Sequence, residues 1–168
     1  FELSPLLKNI QGCILIEAVS QIMGVAFRIS ATIGGSVAGR FPFSDIITPL
    51  LALETKLVFY PQKEMTLNDF LNFKGRLSDI LTHIVIKKSQ GPSFFKKVKT
   101  TALDFAVINV AIANVDGKYR IAIGSRPSVA SLAVKSMEVV NNAKKLSSEL
   151  TNKVAELASE ELLYASTG

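Results

Sequence analysis

The sequence of 168 residues predicts an α+β fold built on mixed or antiparallel sheets. Three observations carry that expectation. Lys56-Leu57-Val58-Phe59-Tyr60 is a short run of strand formers stopped by Pro61. Two apolar runs, 107–114 and 119–123, flank Asp116-Gly117, a pair suited to the positive φ angles of a tight hairpin turn. Beyond Pro127 neither Pro nor Gly occurs until Gly168, while Met137, Val140, Leu146, Leu150, Val154 and Leu157 recur at mostly helical intervals. One long helix or two shorter ones are therefore expected to cover the hairpin's sheet.

The remaining elements follow in order. Residues 15–23 have helical spacing of apolar side chains, and 28–33 read as an extended approach to a glycine turn. A short helix is expected over 49–53, with Thr48 as its cap and Pro49 at the first helical position. Thr66 caps a second short helix over 66–73, with Asp69 in its first turn. Residues 84–86 form a strand. Gln90-Gly91-Pro92 punctuates the chain and divides it into 1–89 and 90–168. The stretch 93–99 reads as a short helix or turn.

Hydrophobic residues make up 48% of the chain, enough for a real core. The most apolar stretch, 13–27, is interrupted by Glu17, Ser20 and Gln21 and is too short to span a bilayer. A single cysteine, Cys13, excludes an internal disulfide framework and a cysteine-ligated iron–sulfur cluster within this sequence; a reducing, cytoplasmic location fits it. The net charge of +5 is spread along the chain in small clusters without interleaved aromatics, so these are solvated faces and no nucleic-acid partner is expected. His83, the only histidine, has no cluster of metal-ligating partners in sequence and reads as structural or surface.

The chemistry concentrates in Ala31-Thr32-Ile33-Gly34-Gly35-Ser36-Val37, followed by Phe43-Ser44-Asp45. Two adjacent glycines between hydroxyl residues suit a turn whose backbone N–H groups converge on an oxyanion, such as a cofactor phosphate. Asp45 offers a carboxylate to a ribose or polyol hydroxyl. The same residues serve equally as a tight turn with nothing bound, and Asp45 as an ordinary turn residue. Neither Gly-x-Gly-x-x-Gly nor a Walker pattern is present.

Phe27-Arg28-Ile29-Ser30-Ala31-Thr32-Ile33-Gly34-Gly35-Ser36, then Pro42-Phe43-Ser44-Asp45-Ile46-Ile47-Thr48-Pro49-Leu50-Leu51-Ala52-Leu53, resembles the FAD-binding (medium) subunit of molybdenum hydroxylases. That family includes the flavoproteins of aerobic carbon monoxide dehydrogenase and xanthine dehydrogenase. Leu81-Thr82-His83-Ile84-Val85-Ile86 is similar to the strand ending its flavin domain. Phe94-Phe95-Lys96-Lys97 and Asp104-Phe105-Ala106 are similar to the start of its C-terminal domain. Ile29 and Ser36 stand where the family commonly has Asn, and the family's first flavin subdomain has no counterpart. The chain thus reads as part of a longer polypeptide.

The resemblance implies the second half of an FAD-binding domain over 1–89, then a small antiparallel sheet with C-terminal helices over 90–168. It implies FAD as cofactor, with Thr32, Ile33, Gly34, Gly35 and Ser36 at its phosphate-bearing part and Asp45 at a polar group. Ile22, Leu81 and Lys96 would lie toward the ring, although on charge pattern alone Lys96 belongs to a solvated run. No catalytic or metal-ligating residue is implied. The implied function is electron transfer from a partner iron–sulfur (2Fe-2S) subunit, itself fed by a molybdopterin subunit, to NAD, a quinone or oxygen. The alternative is a non-catalytic interaction module that keeps the fold without flavin.

Overall fold

The computed structural model describes residues 4–75, 77–162 and 164. The N-terminal part is helical: α1 (Pro5–Lys8), a 3₁₀ turn (Gln11–Cys13), α2 (Ile14–Ser20), α3 (Val25–Ser30), α4 (Ile33–Gly39) and α5 (Ile47–Ala52). Then come β1 (Lys56–Tyr60), β2 (Lys63–Thr66), α6 (Leu67–Asn72) and β3 (Ile80–Val85), which form a three-stranded antiparallel sheet in the order β2-β1-β3. The second sheet is also antiparallel, β4-β5-β6-β7, from β4 (Ser93–Val98), β5 (Ile108–Val115), β6 (Lys118–Gly124) and β7 (Ser131–Leu132). It is followed by α7 (Val134–Asn142) and α8 (Ser148–Glu161).

Strand alternation gives the second sheet two apolar faces. One carries the small side chains Ala111, Ala113 and Ala122 together with Phe95, which lets α5 lie close over the sheet through Leu50 and Leu51. The other carries Ile108, Val110, Ile112, Ile121 and Ile123 and is covered by Met137 and Val140 of α7 and Val154 of α8. The main core is continuous from Ile14 and Leu15 through Leu50, Leu57 and Phe70 to Phe95 and Ala111, so it spans both sides of residue 90. Arg120 ties the layers together. Its Nε and Nη2 donate to the carbonyls of Ala52 (3.0 Å) and Leu51 (3.2 Å), the C-terminal end of α5, and its half-burial lowers its pKa through desolvation.

The hairpin between β5 and β6 turns at Asp116 (φ 51°) and Gly117 (φ 83°), as its sequence demands. Thr66 caps α6 by accepting from the Asp69 N–H (3.0 Å), also as expected. Four expectations are corrected. Residues 93–98 are a strand, because alternate burial of Phe95 and Lys97 meets the β5 ladder. Residues 25–30 are helical, leaving only Ala31 and Thr32 extended. Gly34-Gly35 open a helix rather than a turn between strands. Helix α5 starts two residues earlier than expected, so Thr48 is a fully buried helical residue, not a cap. No described helix is long and apolar enough to cross a membrane.

A buried polar row crosses the second sheet. Register places Lys97 opposite Asn109, and Asn109 opposite Gly124. Above this row stand Asp45 and Thr48. Lys97 Nζ donates to Asp45 Oδ2 (2.7 Å), Asn109 Nδ2 to Asp45 Oδ1 (2.9 Å), and Thr48 Oγ1 to Asn109 Oδ1 (2.6 Å). The side chains of Lys97 and Asp45 are 1% and 5% exposed, so each charge depends on the other. Gly124 makes room for the network: a Cβ there would run into Thr48 Oγ1 and stand 2.5 Å from Asn109 Oδ1.

Replacing Lys97 by Met is expected to cost about 3–5 kcal/mol in urea unfolding, because the Asp45 carboxylate is left buried without its counter-charge. The double variant Asp45→Asn, Lys97→Met should recover at least half of that loss. Gly124→Ala is expected to cost about 1–3 kcal/mol by displacing Thr48 or Asn109, read as a lowered denaturation midpoint at unchanged slope.

Candidate functional site

The expected cofactor segment forms one wall of a cleft. Ala31 and Thr32 are extended (Thr32 φ −117°, ψ 146°), and Thr32 then caps α4. Its Oγ1 accepts the Gly35 N–H at 3.0 Å, and its carbonyl accepts the Ser36 N–H at 3.0 Å. Thr suits a cap because its short oxygen reaches the N–H three residues on. A Cβ on Gly35 would press on that oxygen at 2.9 Å, so glycine keeps the cap intact. Gly34 is different: apart from its chain neighbours and its own helix backbone, no atom of the described residues stands within 4 Å of where its Cβ would be. Its missing side chain answers no packing need of this chain and leaves open space beside the capped turn.

The cleft measures about 480 Å³, within the range of small-ligand sites. Thr32, Gly35, Ser36 and Ser44 give it hydroxyls and backbone, and Asp45 its carboxylate. Ile22, Met23, Phe27, Phe41, Phe43 and Phe105 form its apolar walls. Phe41 stacks on Phe43 at 5.3 Å between ring centroids, and Phe43 tilts against Phe105 at 4.6 Å. The loop after β4 thus contributes to a wall begun by residues 41–43. Phe27, Phe41, Phe43 and Phe105 are 40–50% exposed, a cost normally met by a ligand or another polypeptide surface. Arg28 Nη1 donates to the Ile22 (2.8 Å) and Met23 (3.0 Å) carbonyls and holds the end of α2 against α3. A smaller cavity of about 250 Å³ lies alongside, lined by Ile22, Ile33, Thr32 and Ser36 among others.

Of the residues expected at a cofactor, Ile22, Thr32, Ile33, Gly35, Ser36 and Asp45 line these two spaces, with Gly34 between Ile33 and Gly35 on the same helix. Leu81 lies apart, in a cleft of about 420 Å³ at the C-terminal end of α4, where the Arg40 guanidinium sits 4.3 Å above the Phe70 ring. Lys96 is exposed and projects from the face of β4 opposite to Lys97. The lysine brought to Asp45 is therefore Lys97. Sequence reasoning missed it because 93–99 was not assigned to a strand; alternation along Phe94-Phe95-Lys96-Lys97 is the signal that separates the two lysines. Asn109 and the four phenylalanines were also missed. Asp104, given no role from sequence, lines the cleft.

The donor set fits a dinucleotide with a flat apolar ring system. Asp45 spends one oxygen on Lys97 and one on Asn109, but a carboxylate has about four acceptor positions, so capacity for a hydroxyl remains. Lys97 neutralises it, so an anionic ligand entering the cleft meets no net repulsion from the pair. His83 is exposed on β3, its Nδ1 3.1 Å from Thr82 Oγ1, and the described residues hold no group of three or more His, Cys, Asp or Glu suited to a metal.

Over 102 residues the chain is 30% identical to the uncharacterized protein YgfM of Escherichia coli K12, matching 61% of this chain and 39% of that protein. The chain thus spans about two fifths of that curated relative. Its fold is that of a chain in quinoline 2-oxidoreductase from Pseudomonas putida 86 (TM-score 0.84, 19% identity, 99% of this chain and 62% of that one). It is equally that of a chain in the reconstituted CO dehydrogenase from Oligotropha carboxidovorans (TM-score 0.88, 19% identity, 99% and 63%). Residues 2–87, which build α4, the Asp45 segment and the first sheet, match the family described as the FAD binding domain in molybdopterin dehydrogenase, and the chain belongs to that family.

Proposed function

We propose that this chain supplies one side of the FAD site in the electron-transfer flavoprotein subunit of a molybdenum hydroxylase. The observation that carries the proposal is the cleft in which the Thr32–Ser36 cap, the Asp45 carboxylate and an apolar wall meet, within the stretch matched by the family. Thr32, Ile33, Gly34, Gly35 and Ser36 bind the phosphate-bearing part of the cofactor through hydroxyls and backbone amides. Asp45, positioned by Lys97 and Asn109, accepts from a cofactor hydroxyl. Ile22 and the neighbouring phenylalanines exclude water from the ring region. Family resemblance points Leu81 and Lys96 toward the cofactor as well, but both lie outside this cleft and are given no contact with the ring here. Bound FAD supplies the redox chemistry, and the protein's share is binding, orientation and electrostatics.

In the full assembly the subunit takes electrons from an iron–sulfur subunit served by a molybdopterin subunit and passes them to NAD, a quinone or oxygen in the cytoplasm. We assign 1–89 to cofactor binding and 90–168 to support of the cleft. That division is one of role, because the core crosses it.

Purified whole protein is expected to be yellow and to bind FAD stoichiometrically, with a rise in melting temperature on titration. Gly34→Val should leave the unliganded melting temperature within a few degrees, since its side chain meets open space, yet weaken FAD binding at least tenfold. Colourless whole protein whose melting is unmoved by FAD would reject the proposal and favour the non-catalytic interaction module.

A further inference from the structure

The aromatic wall of the cleft is tethered from behind by two neighbouring residues, Ser125 and Arg126, which follow β6 and line neither the cleft nor the smaller cavity beside it. One arm of the wall is the turn Phe41–Ser44, closed by the Ser44 N–H on the Phe41 carbonyl (3.0 Å), with Pro42 and Phe43 at its tip. The Pro42 carbonyl stands outside that closing bond and accepts the Ser125 N–H at 3.0 Å. The other arm is the loop between β4 and β5 that carries Phe105. Its neck is closed by the Val107 N–H on the Val98 carbonyl (2.7 Å), and the Val107 carbonyl accepts from Arg126 Nε (3.1 Å). Adjacent Cα atoms lie about 3.8 Å apart, so both arms are referred to one short, stiff span of backbone. The 4.6 Å between the Phe43 and Phe105 ring centroids is set across that span.

Ser125 has φ 73°, a conformation that glycine enters freely and serine only at a cost. Its hydroxyl gives the reason for serine. Asn109 Nδ2 donates one hydrogen to Asp45 Oδ1 (2.9 Å) and the other to Ser125 Oγ (3.2 Å). Asn109 is fully buried, so glycine at 125 would leave an amide hydrogen without an acceptor. Backbone strain of this kind persists where the surroundings over-determine it, and it gathers at ligand sites. The carboxylate floor and the apolar wall of the cleft thus share one fixed point.

Phe41, Phe43 and Phe105 are 48%, 40% and 50% exposed, so packing fixes only part of each ring and the rest of the constraint comes from the backbone behind it. Resting on the reading of this cleft as an FAD site, we infer that Ser125 and Arg126 are positioning residues for the flat ring of the cofactor. They act through the wall: Ser125 fixes Phe43 by way of the Pro42 carbonyl, and Arg126 fixes Phe105 by way of the Val107 carbonyl. A binding surface gains its precision from such supports, because rings left to drift present the same chemistry at the wrong spacing.

The test compares Arg126→Met with Arg126→Lys in the whole protein, since the two stems are similar in length and only lysine can donate to Val107. Both should melt within a few degrees of wild type without ligand. Arg126→Met should bind FAD about tenfold more weakly, the scale of one charge-assisted hydrogen bond. The flavin it does bind should lose the vibronic structure of its absorption band and fluoresce more strongly. Arg126→Lys should restore the wild-type affinity and band. Ser125→Gly, which frees φ and removes the acceptor for Asn109, should alter the band as Arg126→Met does. Wild-type affinity and band in either Arg126→Met or Ser125→Gly, equal losses in Arg126→Met and Arg126→Lys, or failure of Arg126→Met to fold would each overturn the inference. A readout without cofactor separates it from the proposed function. In unliganded protein carrying 4-fluorophenylalanine, the Phe43 and Phe105 fluorine resonances, identified with Phe43→Leu and Phe105→Leu, should shift in Arg126→Met and not in Arg126→Lys. Wild-type protein that takes up no FAD rejects the proposed function, and the fluorine spectrum then decides the positioning by itself.

Discussion

The ion pair between Asp45 and Lys97 is the constraint on which the rest of the structure depends. Both side chains are almost wholly buried, and removing two charges from water is a cost that attraction alone rarely repays. Here further hydrogen bonds share it: Asn109 donates to the second carboxylate oxygen while its own oxygen accepts from Thr48. The pair joins the segment between α4 and α5 to the second sheet, and it does so beneath the cleft. A ligand that touched Asp45 would therefore rest on a group whose position is set from the C-terminal half of the chain.

This explains why the two sequence regions share one core. Helix α5 carries Thr48 into the polar row, Leu50 and Leu51 onto the alanines of β5 and β6, and its last carbonyls to Arg120. The aromatic wall repeats the theme, since Phe43 and Phe105 come from opposite sides of residue 90 and meet over the cleft. Support from the second sheet thus reaches both the polar floor and the apolar side of the same space.

Much of this was legible in the sequence, for local reasons. The hairpin at Asp116-Gly117, the strand ended by Pro61 and the Thr66 cap follow from rules acting over a few residues, and the structure holds all three. The Thr32–Ser36 motif was found as well, although its glycines open a helix. What sequence alone did not yield depends on pairing across long separations. That Lys97 rather than Lys96 reaches Asp45, and that Asn109 lies beside both, is decided by β4–β5 register. Apolar spacing likewise gave no sign that Phe41, Phe43 and Phe105 remain exposed around a cleft, because the same residues would satisfy a core pattern.

The register carries a hazard of its own. Phe94-Phe95-Lys96-Lys97 is a doubled pattern, so sliding β4 by one position would exchange an inward phenylalanine for a phenylalanine and an inward lysine for a lysine. In most strands such a slip is punished by turning the whole apolar set outward, and here that penalty is muted over four residues. Alignment must then be imposed from beyond the ambiguous stretch. At one end the Asn114 N–H donates to the Pro92 carbonyl (2.9 Å) and Ser93 holds Gln11; at the other the Val107 N–H donates to the Val98 carbonyl (2.7 Å). These clamps outside the repeat, more than the phenylalanines and lysines within it, decide which ammonium group is committed to the interior.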